Sequence, residues 1–144
     1  MIWNNKIKNL ITENGKIKSS YLDPSIITSA KVHTISKSGK FTGSGVDDQY
    51  TGLSYTIPAN CMYFIGGKLE YETNKPLFIS INTSSSSWST QMAQNASAEN
   101  SASLKCETFG YNNTNSSMTV YLWGRWGSAG QNGVEFYGFY ITTN

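Results

Sequence analysis

Met118-Thr-Val-Tyr-Leu-Trp-Gly-Arg-Trp126 and Gly133-Val-Glu-Phe-Tyr-Gly-Phe-Tyr-Ile-Thr142 flank the turn-forming run Gly127-Ser-Ala-Gly-Gln-Asn-Gly133. Read as extended chain, each segment divides into two faces, because side chains alternate across a strand. The first sets Met118, Val120, Leu122, Gly124 and Trp126 against Thr119, Tyr121, Trp123 and Arg125. The second sets Val134, Phe136, Gly138 and Tyr140 against Glu135, Tyr137, Phe139 and Ile141. Neither divides cleanly into oily and polar halves. One face of each packs in a core, and the other carries rings that need a neighbour, a partner subunit or a ligand.

Upstream the same alternation recurs. Residues 31–36, 41–45, 51–57, 61–72 and 77–82 read as strands, with a turn at 37–40 and a polar loop at 46–49. Pro58 ends the third of them. Cys61, Tyr63, Ile65, Leu69 and Tyr71 share a face, and Gly66-Gly67 between them suggests a bulge or a close backbone approach. Leu77, Ile79 and Ile81 align inward. Residues 82–103 are rich in Ser, Asn, Ala and Thr, yet a structureless loop of that length is uncommon in a compact domain. An edge strand is therefore expected near 87–94, a turn around 96–100 and a return strand over 102–111. Residues 112–116 then close a hairpin into the C-terminal pair, where Gly124, Gly127, Gly130 and Gly133 read as turn residues. About eight to ten short strands at this spacing predict an all-β fold: an antiparallel β-sandwich, jelly-roll-like.

Ahead of the strands, Ile7, Leu10 and Ile11 lie at helical spacing and Asn14-Gly15 makes a suitable stop. A short helix with so narrow an apolar stripe needs something to lie against, and copies of itself would serve. The run Asn14-Gly-Lys-Ile-Lys-Ser-Ser-Tyr-Leu-Asp-Pro24 reads as an extended connector, broken at Asp23-Pro24. The expected organisation is an N-terminal helix and connector over 1–29, serving oligomerisation, and a β-sandwich over 30–144. That connector resembles the NGKI-x-SS-x-L-x-P run of bacteriophage tail-fibre and receptor-binding proteins, where it sits just ahead of a distal β-rich domain. The resemblance covers residues 14–24. It implies a receptor-binding tip, a homotrimer carried on the rest of a tail fibre or baseplate, that attaches the virion to a bacterial cell-surface saccharide. It also implies a virion component assembled in the host cytoplasm.

With 144 residues the chain fits one domain able to bury a sizeable core. Charged residues are only 14% of it, the net charge is +2, and Arg125 is the single arginine. No surface of that kind tracks phosphates, and nucleic acid is not expected as a partner. The surface is instead polar and uncharged. No stretch reaches the roughly 20 apolar residues that span a bilayer, so no membrane insertion is expected. The opening Met1-Ile-Trp-Asn-Asn-Lys-Ile-Lys8 lacks the apolar core of a secretory signal. The chain is therefore intracellular, leaves the cell by another route, or is cut from something longer. Without a signal, the sequons at Asn82, Asn95, Asn112 and Asn115 read as chance. Cys61 and Cys106 lack zinc or redox spacing and read as two buried thiols on strands, with a disulfide left open.

Catalysis finds little to work with. His33 is the only histidine and reads as structural, and there is no His-x-His, cysteine cluster or P-loop. The carboxylates are scattered: Asp47-Asp48 supply too few oxygens for calcium, and Glu70 and Glu72 beside Lys68 read as a solvated face. Neither an enzyme nor a cofactor is expected. Binding remains. Sugars are held by rings stacked on their C–H faces, with polar groups on the hydroxyls. Trp123 and Arg125, with Tyr121 on the same strand face, supply that chemistry, to which Trp88, Tyr111 and Asn113 in its loop would add. Such rings also fill sandwich cores and subunit interfaces. An arginine among rings stacks, pairs with an acid or crosses an interface, Glu107 and Glu135 being the expected acids. The sequence thus reads as a non-catalytic receptor-binding tip. The alternatives are a monomeric carbohydrate-binding module of a secreted enzyme and a purely structural virion subunit.

Overall fold

Alternation becomes eight strands in the computed structural model, which describes residues 30–43, 47–70, 76–96, 103–127 and 130–143. The strands are β1 (Ala30–Gly43), β2 (Gln49–Ile57), β3 (Cys61–Glu70), β4 (Pro76–Asn82), β5 (Gln91–Ala96), β6 (Ser103–Asn112), β7 (Met118–Trp126) and β8 (Gly130–Thr143). The helix and connector expected over 1–29 lie outside the described residues.

Two four-stranded sheets form, in the orders β1-β8-β3-β6 and β2-β7-β4-β5. In both, first pairs with last: β1 with β8, β2 with β7, β3 with β6 and β4 with β5. The chain is one long ribbon that doubles back between β4 and β5 and winds so that successive paired segments fall in alternate sheets. That is a jelly roll, the sandwich expected from the strand spacing. Winding also explains two departures from the reading. Residues 112–116 join no hairpin, because β6 and β7 belong to different sheets, and the same holds for β7 and β8. The C-terminal pair that looked like neighbours faces itself across the core.

Three local expectations are corrected. Residues 37–40 form no turn, and β1 runs through them for 14 residues. Gly124, Gly130 and Gly133 lie within strands rather than turns. At Gly66 and Gly67 the register of β3 against β6 and β8 is unbroken, so close approach, not a bulge, explains them. Tyr137 and Glu107 flank Gly66 in the register, and the Tyr137 ring crosses the bare strand to donate its hydroxyl to Glu107 (2.6 Å). A side chain at Gly67 would strike Leu122 of the facing sheet.

Between the sheets lie Ile35, Leu53, Ile57, Ile65, Leu69, Ile79, Ile81, Val120, Leu122, Val134 and Phe136, with Trp126 completely buried. On β7 and β8 the inward members, Val120, Leu122 and Trp126 against Val134 and Phe136, fall within one of the two faces that alternation sets apart on each strand. Cys61 and Cys106 are buried free thiols. Cys106 pairs with Gly67, six residues along β3 from Cys61. At about 3.3 Å per residue that is roughly 20 Å, far beyond disulfide reach. Burial pushes the Cys106 thiol up to about 12. It therefore stays protonated and unreactive at neutral pH.

Candidate functional site

Strand β7 lies inside its sheet between β2 and β4 and turns Tyr121, Trp123 and Arg125 outward, as alternation predicts. On that outer face β2 sets Tyr50 opposite Trp123, while β4 sets Phe78, Ser80 and Asn82 opposite Arg125, Trp123 and Tyr121. The Tyr50 ring meets Tyr121 edge-on (5.5 Å between centroids, 81° between planes) and Trp123 at 6.2 Å. A bulge aims Tyr50 there. The register shifts between Tyr50 and Ser54, and Gly52 takes φ +79°. The Thr51 hydroxyl repairs the ladder by donating to the Leu122 carbonyl (2.8 Å) and accepting from Leu53 N–H (3.3 Å).

Arg125 spreads its guanidinium over the Phe78 ring, 5.6 Å from the centroid, and its Nε lies 3.7 Å from Asp48 Oδ1. Both stacking and pairing were expected of it, but the acid is neither Glu107 nor Glu135. Those belong to strands of the other sheet, where Glu107 accepts from Tyr137 and Glu135 stands opposite Lys68. The Arg125 side chain remains 41% exposed. A planar cation with several N–H donors thus faces outward over the Phe78 ring.

Residues 83–90, joining β4 to β5, read Thr-Ser-Ser-Ser-Ser-Trp-Ser-Thr. This loop is tied to the same face. Trp123 Nε1 donates to the Ser84 carbonyl (3.0 Å), Asn82 Nδ2 donates to the Ser87 carbonyl (3.3 Å), and Thr83 N–H donates to the Thr90 carbonyl (3.1 Å). The Ser84 hydroxyl accepts from Ser86 and Ser87 N–H (3.2 Å each). Serine caps thus replace a regular turn. The cover explains why both faces of β4 are buried. Phe78, Ser80 and Asn82 are enclosed as well as Ile79 and Ile81.

Trp123 therefore has a different part from the one the sequence suggested. Only 7% of it is exposed and its N–H is spent on Ser84, so it anchors the loop and offers no open ring face. Trp88, carried on that loop, is 53% exposed and does offer one. Two further candidates stand apart. Tyr111 lies on β6, in the other sheet, exposed on that sheet's outer face beside Met62. Asn113 is exposed in the loop after β6, at the end of β7 where Met118 begins. Five residue steps separate Met118 from Trp123, about 16 Å of strand. The buried Asn112 next to Asn113 organises that loop, donating to the carbonyls of Pro58 (2.8 Å) and Ser116 (3.0 Å). His33 stacks on Tyr140 (4.6 Å, 9°) and shares a hydrogen bond with Thr142 (3.1 Å).

Sequence reasoning missed Tyr50, Phe78 and Asp48. Their shared face depends on which strands neighbour β7, and no local spacing encodes that. What the assembled face can do is hold a neutral polyhydroxylated molecule. Tyr50, Tyr121 and Trp88 supply ring surface, Arg125 supplies donors, and a serine-rich loop supplies hydroxyls.

No protein-family model matches this chain, and no curated protein does. Among solved structures, a chain titled "Cyanophage Pam1 capsid asymmetric unit" is similar at 17% identity and a TM-score of 0.49, covering 78% of this chain and 86% of that chain.

Proposed function

We propose that this chain is a non-catalytic virion attachment domain that holds a neutral saccharide of the bacterial surface on the outer face of the β2-β7-β4-β5 sheet. The observation that carries the proposal is the joining of Tyr50, Tyr121 and Arg125 with a hydroxyl-rich loop that presents Trp88 and is pinned by Trp123. Rings stack on sugar C–H faces and the guanidinium grips vicinal hydroxyls, which is recognition without a charged ligand. The attachment role draws on the connector resemblance over residues 14–24, and the phage-tail setting and the homotrimer follow from it. Residues 1–29 and one face of the sandwich hold the trimer together in this reading. A monomeric carbohydrate-binding module uses the same face and differs only in mass.

Replacing Trp88 or Arg125 with Ala should each weaken binding to purified bacterial surface polysaccharide about tenfold, equivalent to ~1.4 kcal/mol. Both side chains are substantially exposed. The melting temperature of the Trp88 variant should therefore stay put. Wild-type affinity in both variants would remove this face from consideration.

A further inference from the structure

The outer face of the other sheet is divided lengthwise by chemistry. In the register of β6, β3 and β8, Phe109, Phe64 and Phe139 form one cross-strand row and Tyr111, Met62 and Ile141 form the next. The following rows are polar: Glu107 and Tyr137 across Gly66, then Lys105, Lys68 and Glu135. Polar groups in those rows are matched within the chain. Lys68 pairs with Glu70, Tyr137 donates to Glu107, and Lys105 Nζ lies 5.8 Å from the Tyr137 centroid. Among the described residues nothing covers the apolar rows, where Met62, Phe109, Tyr111 and Phe139 are exposed.

We infer that this apolar end is the contact surface for a second copy of the same chain. The inference names the sandwich face left open in the self-association proposed above, and rests on that reading for its partner. Three observations select a copy. Phe109 stands 78% exposed on the wall of a groove of about 330 Å³ that Met62, Tyr63, Phe64 and Phe139 also line, so the projecting ring and the groove belong to one patch. The groove presents no polar atom to a ligand, so it is no seat for sugar hydroxyls. Taking about 200 Å² for each side chain of this size, the exposed parts of Met62, Phe109, Tyr111 and Phe139 make roughly 450 Å². That matches the apolar centre of an interface burying about 800 Å² per partner, with the self-neutralised rows as its rim. A contact between two such patches closes as a two-fold pair or as a ring.

Sedimentation of the full chain across a concentration series reads this directly. The wild type should run as an oligomer and Phe109→Lys as a 15.9 kDa monomer with unchanged dichroism and melting. If Phe109→Lys fails to fold, Met62→Lys, at another exposed position of the patch, is read for the same shift. A wild type at monomer mass throughout overturns the inference. So does an oligomer that survives both substitutions, which leaves the trimer to residues 1–29 and frees this face. A monomer that co-sediments with phosphatidylcholine vesicles overturns it too, in favour of a lipid surface. Saccharide binding by the monomeric variant tests the face bearing Arg125 separately.

Discussion

Trp126→Ala should cost about 3–5 kcal/mol of folding stability, the range for deleting a fully buried large side chain. Trp126 is at zero exposure, and its ring meets Phe41 of the opposite sheet at 5.0 Å, so it bridges the two layers at one end of the sandwich. Gly124 gives it room. A Cβ there would come within 2.7 Å of the Trp126 ring and 2.8 Å of Leu69. No collapse fills the resulting hole easily, because Phe41 and Leu69 sit on different strands, β1 and β3, that are not neighbours in their sheet. Against a total of roughly 5–15 kcal/mol for an ordinary domain, that is about a fifth of the stability or more. For a chain of this size the loss lowers the melting temperature by about 10–17 °C. Dichroism-monitored unfolding checks it, and a loss under ~1 kcal/mol, the size of an average substitution, would mean that the layers are not packed through this ring.

A series of Gly→Ala substitutions should separate backbone strain from crowding. Gly127 is exposed with open space around it. Gly127→Ala should therefore change stability by no more than about 0.5 kcal/mol. Gly52 also has open space but sits at φ +79°. Ala there should cost about 1 kcal/mol from conformation alone. Gly138 combines both penalties. Its φ is +135°, and an added Cβ would press on the Phe64 carbonyl of the neighbouring central strand, where backbone must move rather than a side chain. Gly138→Ala should cost roughly 3 kcal/mol or more. Equal losses at Gly52 and Gly138 would contradict the register that puts Gly138 opposite Ile65.

Much of the sandwich was legible because burial imposes a period of two. Alternation sorted β7 and β8 into two faces each without saying which one is inward, and Pro58 marked the end of β2. Alternation says nothing about which strands become neighbours, so a hairpin looked natural where the ribbon crosses between sheets. Residues 37–40 misled for a related reason. Ser, Gly and Lys are turn-prone in isolation, yet pairing with β8 holds them extended. Gly66-Gly67 signalled a special backbone correctly, while the bulge of β2 sits at Gly52, where a single glycine inside an alternating run gives little warning.

At the candidate face the sequence supplied Tyr121, Trp123 and Arg125 as one group because they share a strand. It could not assign them roles, since exposure depends on what folds over them. Residues 83–90 cover Trp123 and carry the exposed Trp88. Tyr111 and Asn113 seemed to belong by composition alone, and the topology carries Tyr111 to the opposite sheet.

The most direct test is an indole N–H spectrum of the four tryptophans, titrated with the surface polysaccharide that binds best. A large shift is expected at Trp88, a smaller one at its anchor Trp123 and none at the core residue Trp126. A saturating titration that leaves Trp88 unmoved would contradict saccharide binding on this face.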